Sequence, residues 1–261
     1  MATPEQIPGE LLNRIARFGR LYLLDTVTST NDFAFSLADK KEPAIVVAQK
    51  QTKGRGRFRR HWFADENSLT FSLLLFPAIN SSAPDFSPAA ITQIAGLALC
   101  QAVESLFITN PAQSLPKPML RWPNDVLLEG KKVAGILCEQ RNQALVIGVG
   151  VNVNQPTIPE NLPDATSLFL VYHQLTDRMT LLENFLTNLF ALLKKVTQDR
   201  KVIWDEVRAR SAILHHRVEI KTLLRRYVGT VIDIDDAGRI ILRTDSGKLT
   251  LFSAGQVRQL R

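Results

Sequence analysis

Gln51-Thr52-Lys53-Gly54-Arg55-Gly56-Arg57-Phe58-Arg59-Arg60-His61-Trp62 is the stretch on which the reading of this chain turns. Glycines set between arginines let the backbone bend close to a ligand while guanidinium groups converge on it. Like charges ~6 Å apart in water repel by ~0.7 kcal/mol, so such a run favours any anion that relieves all the pairs together. No Gly-Lys-Ser/Thr follows at the spacing of a Walker loop. On composition alone, a solvated basic loop is an equal reading.

Charge arithmetic sets the segment apart. Lys50 to Arg60 holds six basic residues and no acid, while the remaining chain carries 26 basic against 25 acidic side chains. The +7 of the whole is therefore local, which points to one anion site rather than to a basic, nucleic-acid-covering surface. At 261 residues, with 45% hydrophobic and 22% charged, the chain can bury a sizeable core in one large domain or a large and a small one. No run approaches ~18 uninterrupted apolar residues, so no membrane span is expected. The start, Met1 to Gln6, lacks the basic-then-apolar pattern of a signal peptide. Two cysteines, Cys100 and Cys138, support neither a disulfide framework nor a zinc site and read as buried free thiols in a reducing cytoplasm.

Working outward, residues 21–28 read as a strand, with Ser29 or Thr30 capping a helix to about Ala38 whose face is Phe33, Ala34 and Leu37. Strands are expected over Ala44–Gln49 and Ser68–Phe76, a turn-rich loop over Pro77–Asp85, and a helix from Ser87-Pro88 to Phe107. Ile91, Ile94, Ala95, Ala98, Ala102 and Leu106 give that helix one apolar face. A proline-interrupted loop over Asn110–Pro118 precedes strands at Met119–Trp122, Val133–Glu139 and Ala144–Val151. Thr180-Leu-Leu-Glu183 reads as a capping box opening a further helix. Short strands at 218–221, 227–234, 239–244 and 248–252, separated by Asp/Gly turns, predict a small β barrel at the C-terminus.

Three further segments carry candidate chemistry. Arg121-Trp122-Pro123-Asn124-Asp125 sets a turn between strands, and Lys131-Lys132 opens the next strand; singly, each is also ordinary turn or hairpin chemistry. Gly148-Val149-Gly150-Val151-Asn152 alternates glycine within an apolar strand, which suggests close approach of a ligand or of another backbone, or a bulge. Trp62 can stack on a base, though an aromatic after a basic loop is more often core. His61, His173, His215 and His216 show no metal spacing.

In order along the chain, Ser29-Thr30-Asn31, Gln51 to Trp62, Arg121 to Asp125, Lys132-Val-Ala-Gly135, Gly148 to Asn152 and Ala165-Thr-Ser-Leu168 resemble the blocks of the biotin–protein ligases, over roughly residues 22–170. The resemblance implies an α+β fold: a mixed-sheet catalytic domain of the biotin/lipoate ligase type, residues 1–212, and an SH3-like barrel, residues 213–261. It implies an enzyme that makes biotinyl-5′-AMP from biotin and ATP and passes the biotinyl group to a lysine of apo biotin carboxyl carrier protein. By the same resemblance, Lys132 and Arg57 are catalytic. Ser29, Thr30, Asn31, Gln51, Arg55, Gly56, Arg57, Lys132, Gly135 and Gly150 line the biotin site. Arg57, Arg60, Trp62, Asn124, Asp125, Lys132 and Asn152 serve ATP, with Mg²⁺ held mainly by its phosphates. Lys131 is one residue off the family's Lys-x-Ala-Gly pattern, and strand alternation points it away from Lys132.

Arg59 stands where the family often has glycine, which leaves the separate roles of Arg59 and Arg60 open. Only about 20 residues precede the first strand, too few for the helix-turn-helix of the bifunctional members, so no sequence-specific DNA partner is expected, and no membrane; a homodimer stays open. The alternatives are a lipoate ligase or octanoyltransferase, against which the Arg-Gly segment speaks, and a nucleic-acid-binding module. The segment from Lys53 to Arg60 is also expected to stay open until an adenylate orders it, since repulsion and backbone entropy both oppose settling.

Overall fold

The computed structural model describes residues 7–77, 87–107, 115–222 and 224–260. Most of the expected 77–85 loop and the first part of the 110–118 loop lie outside these residues. In chain order the elements are α1 (Gly9–Ala16), β1 (Arg20–Val27), α2 (Thr30–Ser36), β2 (Ala44–Gln51), β3 (Ser68–Leu75), α3 (Pro88–Phe107), β4 (Met119–Arg121), β5 (Asp125–Leu128), β6 (Lys131–Arg141) and β7 (Ala144–Asn152). There follow α4 (Leu168–Tyr172), α5 (Arg178–Val196), α6 (Arg200–Ala209), β8 (Arg217–Lys221), β9 (Arg226–Ile234), β10 (Ile240–Thr244), β11 (Leu249–Phe252) and β12 (Gln256–Gln259).

β1 to β7 form one mixed sheet in the order β1-β2-β3-β7-β6-β5-β4, in which only β1 and β2 run parallel. Side-chain alternation divides its two faces. Leu69, Phe71 and Leu73 of β3 and Leu145, Ile147, Val149 and Val151 of β7 face a core shared with α3 and α5. Leu74 of β3 and Ala144 and Val146 of β7 face α2, with Ala34 and Leu37. The start of α2 is fixed by Ser29, whose hydroxyl accepts from the Asp32 N–H at 3.4 Å.

α3 differs from expectation. Its periodicity predicts one apolar face, yet nearly every residue from Ala90 to Cys100 is buried, because sheet, α5 and α6 surround it. It is long and apolar enough to cross a membrane by composition, and here it is a core helix. Cys100 lies on it, buried, and desolvation pushes its thiol up to about 12; Cys138 on β6 is half-buried, less covered than expected. α5 begins two residues before the expected cap: Asp177 is the N-cap, and its carboxylate takes the Thr180 N–H at 2.6 Å. Asp177 and Thr180 both suit a cap, and burial of Arg178 and Met179 selects the earlier one. Arg178 reaches the carbonyls of Glu66 and Ser68.

The C-terminal strands form an antiparallel sheet ordered β11-β10-β9-β8-β12, consistent with the expected SH3-like unit. Its apolar face continues the main core through Val218, Ile220, Val231, Ile240 and Leu242. β12 carries one half-buried apolar residue, Val257, in four, which leaves no alternation to read from sequence. The β9–β10 turn docks on the catalytic sheet: the Trp122 indole N–H donates to the Gly238 carbonyl at 2.9 Å. Gly238 has φ +74°, and a Cβ there would lie 2.8 Å from the Ala89 carbonyl oxygen. Gly238→Ala should therefore cost about 2–4 kcal/mol, from a left-handed non-glycine and overpacking together. Urea denaturation measures this; a loss under ~0.5 kcal/mol would show that the turn is not pinned there.

Candidate active site

The polar site grows from the α2-side face of the sheet. Along β7 that face reads Ala144, Val146, Gly148, Gly150, Asn152, shrinking to glycine where other protein descends on it. At Gly148 a Cβ would collide with the Asn31 amide, and at Gly150 with the Trp62 indole. The glycines are thus seats for side chains. Gly135 of β6 pairs with Gly150 and continues the flat patch, its Cβ position 3.4 Å from Trp62 Cζ3. Trp62 therefore stands at the site, half-buried, rather than in the core where an aromatic is more often found. Its Nε1–H is buried without a partner, as is the Thr70 hydroxyl on the strand residue opposite Gly150. Each unmade bond costs roughly 1–3 kcal/mol until a ligand or water supplies it.

Lys132 reaches this face through an irregularity. Counted back from Gly135, strict alternation would turn Lys132 toward the helices and Lys131 toward the site. The β5–β6 register shifts there, pairing Val126 with Ala134 and Leu127 with Lys132, so that Val133 bulges unpaired into the core. The bulge returns Lys132 to the polar face, and Lys131 is exposed away from it. Beyond the end of β7, residues 164–166 hold the Lys132 backbone: its N–H donates to the Asp164 carbonyl at 2.7 Å, and its carbonyl accepts from Thr166 at 2.8 Å. Lys132 Nζ sits 2.5 Å from one oxygen of Asp125 and 5.5 Å from the Trp62 ring centre; the other Asp125 oxygen accepts from Arg121 at 2.8 Å. Asp125 thus has a cation on each oxygen.

At the other end of the cleft the backbone N–H and hydroxyl of Thr30 both donate to Gln51 Oε1, at 2.7 and 3.1 Å. This fixes the Gln51 amide and leaves its NH₂ as a donor. Ser72 Oγ lies 2.7 Å from the Thr30 hydroxyl and 2.6 Å from Asn31 Oδ1. Asn31 lines the cleft, but its amide nitrogen donates to Glu139 and to the Leu137 carbonyl, so both ends are engaged within the protein. Ser29 is buried and occupied as the cap.

The basic segment is tied down from outside itself. Arg55 bonds Asp32 at 2.7 Å and Glu139 at 3.4 Å, and it bridges back to His61; Asp32 also draws Arg141 at 3.5 Å. Arg60 donates to Gln256 of β12 at 3.1 Å, and the Gly56 N–H to the Arg60 carbonyl at 2.8 Å. Acids remote in sequence thus answer the charge of Arg55, and a neutral amide holds Arg60. Phe58, at its apex, has φ +56°, a left-handed conformation rare for an aromatic residue. Arg57 has no hydrogen-bonding or ion-pair partner among the described residues, only the Phe58 ring 5.2 Å away. Desolvation lowers its pKa, with Asp125 opposing, yet a guanidinium stays charged at neutral pH.

Every site residue singled out from the sequence lines one cleft of roughly 1290 Å³. That exceeds the ~300–1,000 Å³ of an ordinary pocket, room enough for two ligands. Asn124 and Asn152 each donate their amide N–H to a backbone carbonyl, of Ile136 and Thr166, leaving the amide oxygens as acceptors. Sequence reading missed the far wall, where Lys221, Gln256 and Arg258 of the C-terminal unit reach the cleft, and the acids Asp32 and Glu139. No local motif marks them. Among the described residues no group of three or more His, Cys, Asp or Glu side chains could hold a metal.

Residues 23–154 match the biotin/lipoate A/B protein ligase family, and residues 216–257 match the biotin protein ligase C terminal domain. The chain is 34% identical to the biotin–[acetyl-CoA-carboxylase] ligase of Mycobacterium tuberculosis, over 83% of this chain and 79% of that protein. It is 31% identical to the bifunctional ligase/repressor BirA of Bacillus subtilis, over 95% of this chain and 79% of the relative. A biotin protein ligase from Aquifex aeolicus, solved in complex with biotin and ATP, superposes with a TM-score of 0.78 at 28% identity, covering 92% of this chain and 99% of that one.

The glycine seat makes a direct prediction. Gly150→Ala should expel the Trp62 indole, because the methyl group would occupy the position of its ring. Trp122 and Trp204 are 2% and 1% exposed, so a red shift of tryptophan emission would report Trp62. Emission identical to the parent, at unchanged stability, would show that the indole does not rest on Gly150.

Proposed function

This chain belongs to the biotin/lipoate A/B protein ligase family, and on that premise we propose that its cleft joins biotin to AMP and passes the biotinyl group to a lysine of apo biotin carboxyl carrier protein. It is a biotin–protein ligase, and the match at 216–257 to the biotin protein ligase C terminal domain favours that reading over a lipoate ligase or octanoyltransferase. In the first step a carboxylate oxygen of biotin attacks the α-phosphorus of ATP; the bond from that phosphorus to the bridging oxygen breaks, and pyrophosphate leaves. In the second, the carrier lysine amine attacks the acyl carbon and AMP leaves.

The difficulty of the first step is that anion meets anion. Cations already in place at the reacting oxygens lower that barrier without reorganising during reaction. The single observation that carries the reading is Arg57, a partly desolvated guanidinium without a hydrogen-bonding or ion-pair partner among the described residues, in the same cleft as Lys132. Asp125 would orient Lys132 rather than consume its charge, since Arg121 neutralises the same carboxylate. The neutral Thr30–Gln51 corner suits the uncharged polar head of biotin. Trp62 and Thr70, with unmade bonds, would complete the wall against the adenylate. Mg²⁺ would enter with the phosphates: both oxygens of Asp125 already face cations, and the ion favours phosphate oxygens and water. A nucleic-acid module fits less well, because Arg55 and Arg60 are turned inward to Asp32, Glu139 and Gln256.

Transfer of biotin to an apo carrier domain, followed by intact-protein mass, tests the assignment of the lysines. Lys132→Ala should slow transfer by ~10²–10³, the usual loss for one donor at a developing or reacting oxyanion. Lys131→Ala should change it by less than about threefold, as an exposed side chain outside the cleft. Equal losses at both would contradict the bulged register.

A further inference from the structure

Glu139 belongs to neither the basic segment nor the polar corner, yet it touches both. It projects from β6 on the polar face of the sheet, where it pairs with Val146. One oxygen, Oε2, accepts from Asn31 at 2.8 Å and lies 3.4 Å from Arg55 Nη2. Asn31 is 5% exposed and wedged over Gly148, so its amide cannot turn without losing the Ser72 and Leu137 contacts. Through Ser72 the same chain of contacts runs on to Thr30 and Gln51. A line of polar groups therefore leads from the floor of the cleft, through one carboxylate, to the first arginine of the segment that closes it.

We infer that Glu139 is a positioning residue that couples the acyl-binding corner to the basic segment, holding Asn31 with a hydrogen bond and Arg55 with its charge. The inference rests on the ligase reading above and extends it. The two attachments are separable, because an amide in place of the carboxylate keeps an acceptor for Asn31 and removes the anion opposite Arg55. Asp32 is the second anchor of Arg55 and makes no contact with Asn31's amide.

The test uses the full chain with Glu139→Gln, Arg55→Ala, the double variant and Asp32→Asn. Biotin affinity, the escape rate of preformed biotinyl-AMP and the melting temperature are measured for each. Glu139→Gln should leave biotin affinity unchanged while biotinyl-AMP escapes about two- to fivefold faster, the scale of one partly exposed ion pair. The double variant should release it no faster than Arg55→Ala alone, since both act through one contact. Asp32→Asn should also speed escape at unchanged biotin affinity, and it serves as the arm that decides if Glu139→Gln does not fold. Unchanged escape in both charge-removing variants, multiplying effects in the double, or biotin affinity falling as far as adenylate retention would each overturn the coupling. If the parent chain itself forms no biotinyl-AMP, the ligase reading fails first and the coupling with it. A parent that forms and retains it while Glu139→Gln retains it equally overturns the coupling alone.

Discussion

Six cations within eleven residues repel one another before any ligand arrives, and the rest of the site is arranged around that repulsion. Each pair at ~6 Å costs only ~0.7 kcal/mol in water, but the cost rises as water is excluded. The answer comes from carboxylates that are remote in sequence. Asp32 and Glu139 take Arg55, neutral Gln256 takes Arg60, and across the cleft Asp125 stands between Lys132 and Arg121. Arg57 is desolvated and has no hydrogen-bonding or ion-pair partner among the described residues.

The sheet makes that arrangement possible by having two unlike faces. On one side β3 and β7 present large apolar groups in unbroken alternation, and β6 does so beyond its bulge. On the other side the same strands present Thr70, Ser72, Gly135, Gly148 and Gly150, small enough for Asn31 and Trp62 to lie against the backbone. One unpaired residue, Val133, corrects the phase of β6 so that its lysine comes to the polar side. A deletion there would reverse every side chain N-terminal to it.

Much of this was legible in the chain. The Gly-x-Gly alternation of β7 suggests a close approach or a bulge, Ser29 or Thr30 reads as a cap, and the ordered blocks collect in one cleft. The identity of what approaches the glycines was not legible, because Asn31 and Trp62 lie about a hundred residues away. The choice of Lys132 over Lys131 came from resemblance alone; alternation counted from Gly135 favours the other lysine, and the bulge that decides has no signature in Lys-Lys-Val-Ala. Burial on all sides of α3 and the strand β12 depend on what packs around them, which local periodicity does not encode. Charge counted along a segment likewise misses partners folded in from Asp32, Glu139 and Gln256.

The ligase reading requires the cleft to activate biotin by joining it to AMP before any carrier arrives. Exchange of labelled pyrophosphate into ATP, measured with the purified chain and no carrier, tests it most directly. Exchange should require biotin, and neither lipoate nor octanoate should support it. Exchange independent of biotin, or none at saturating biotin and ATP, would contradict that reading.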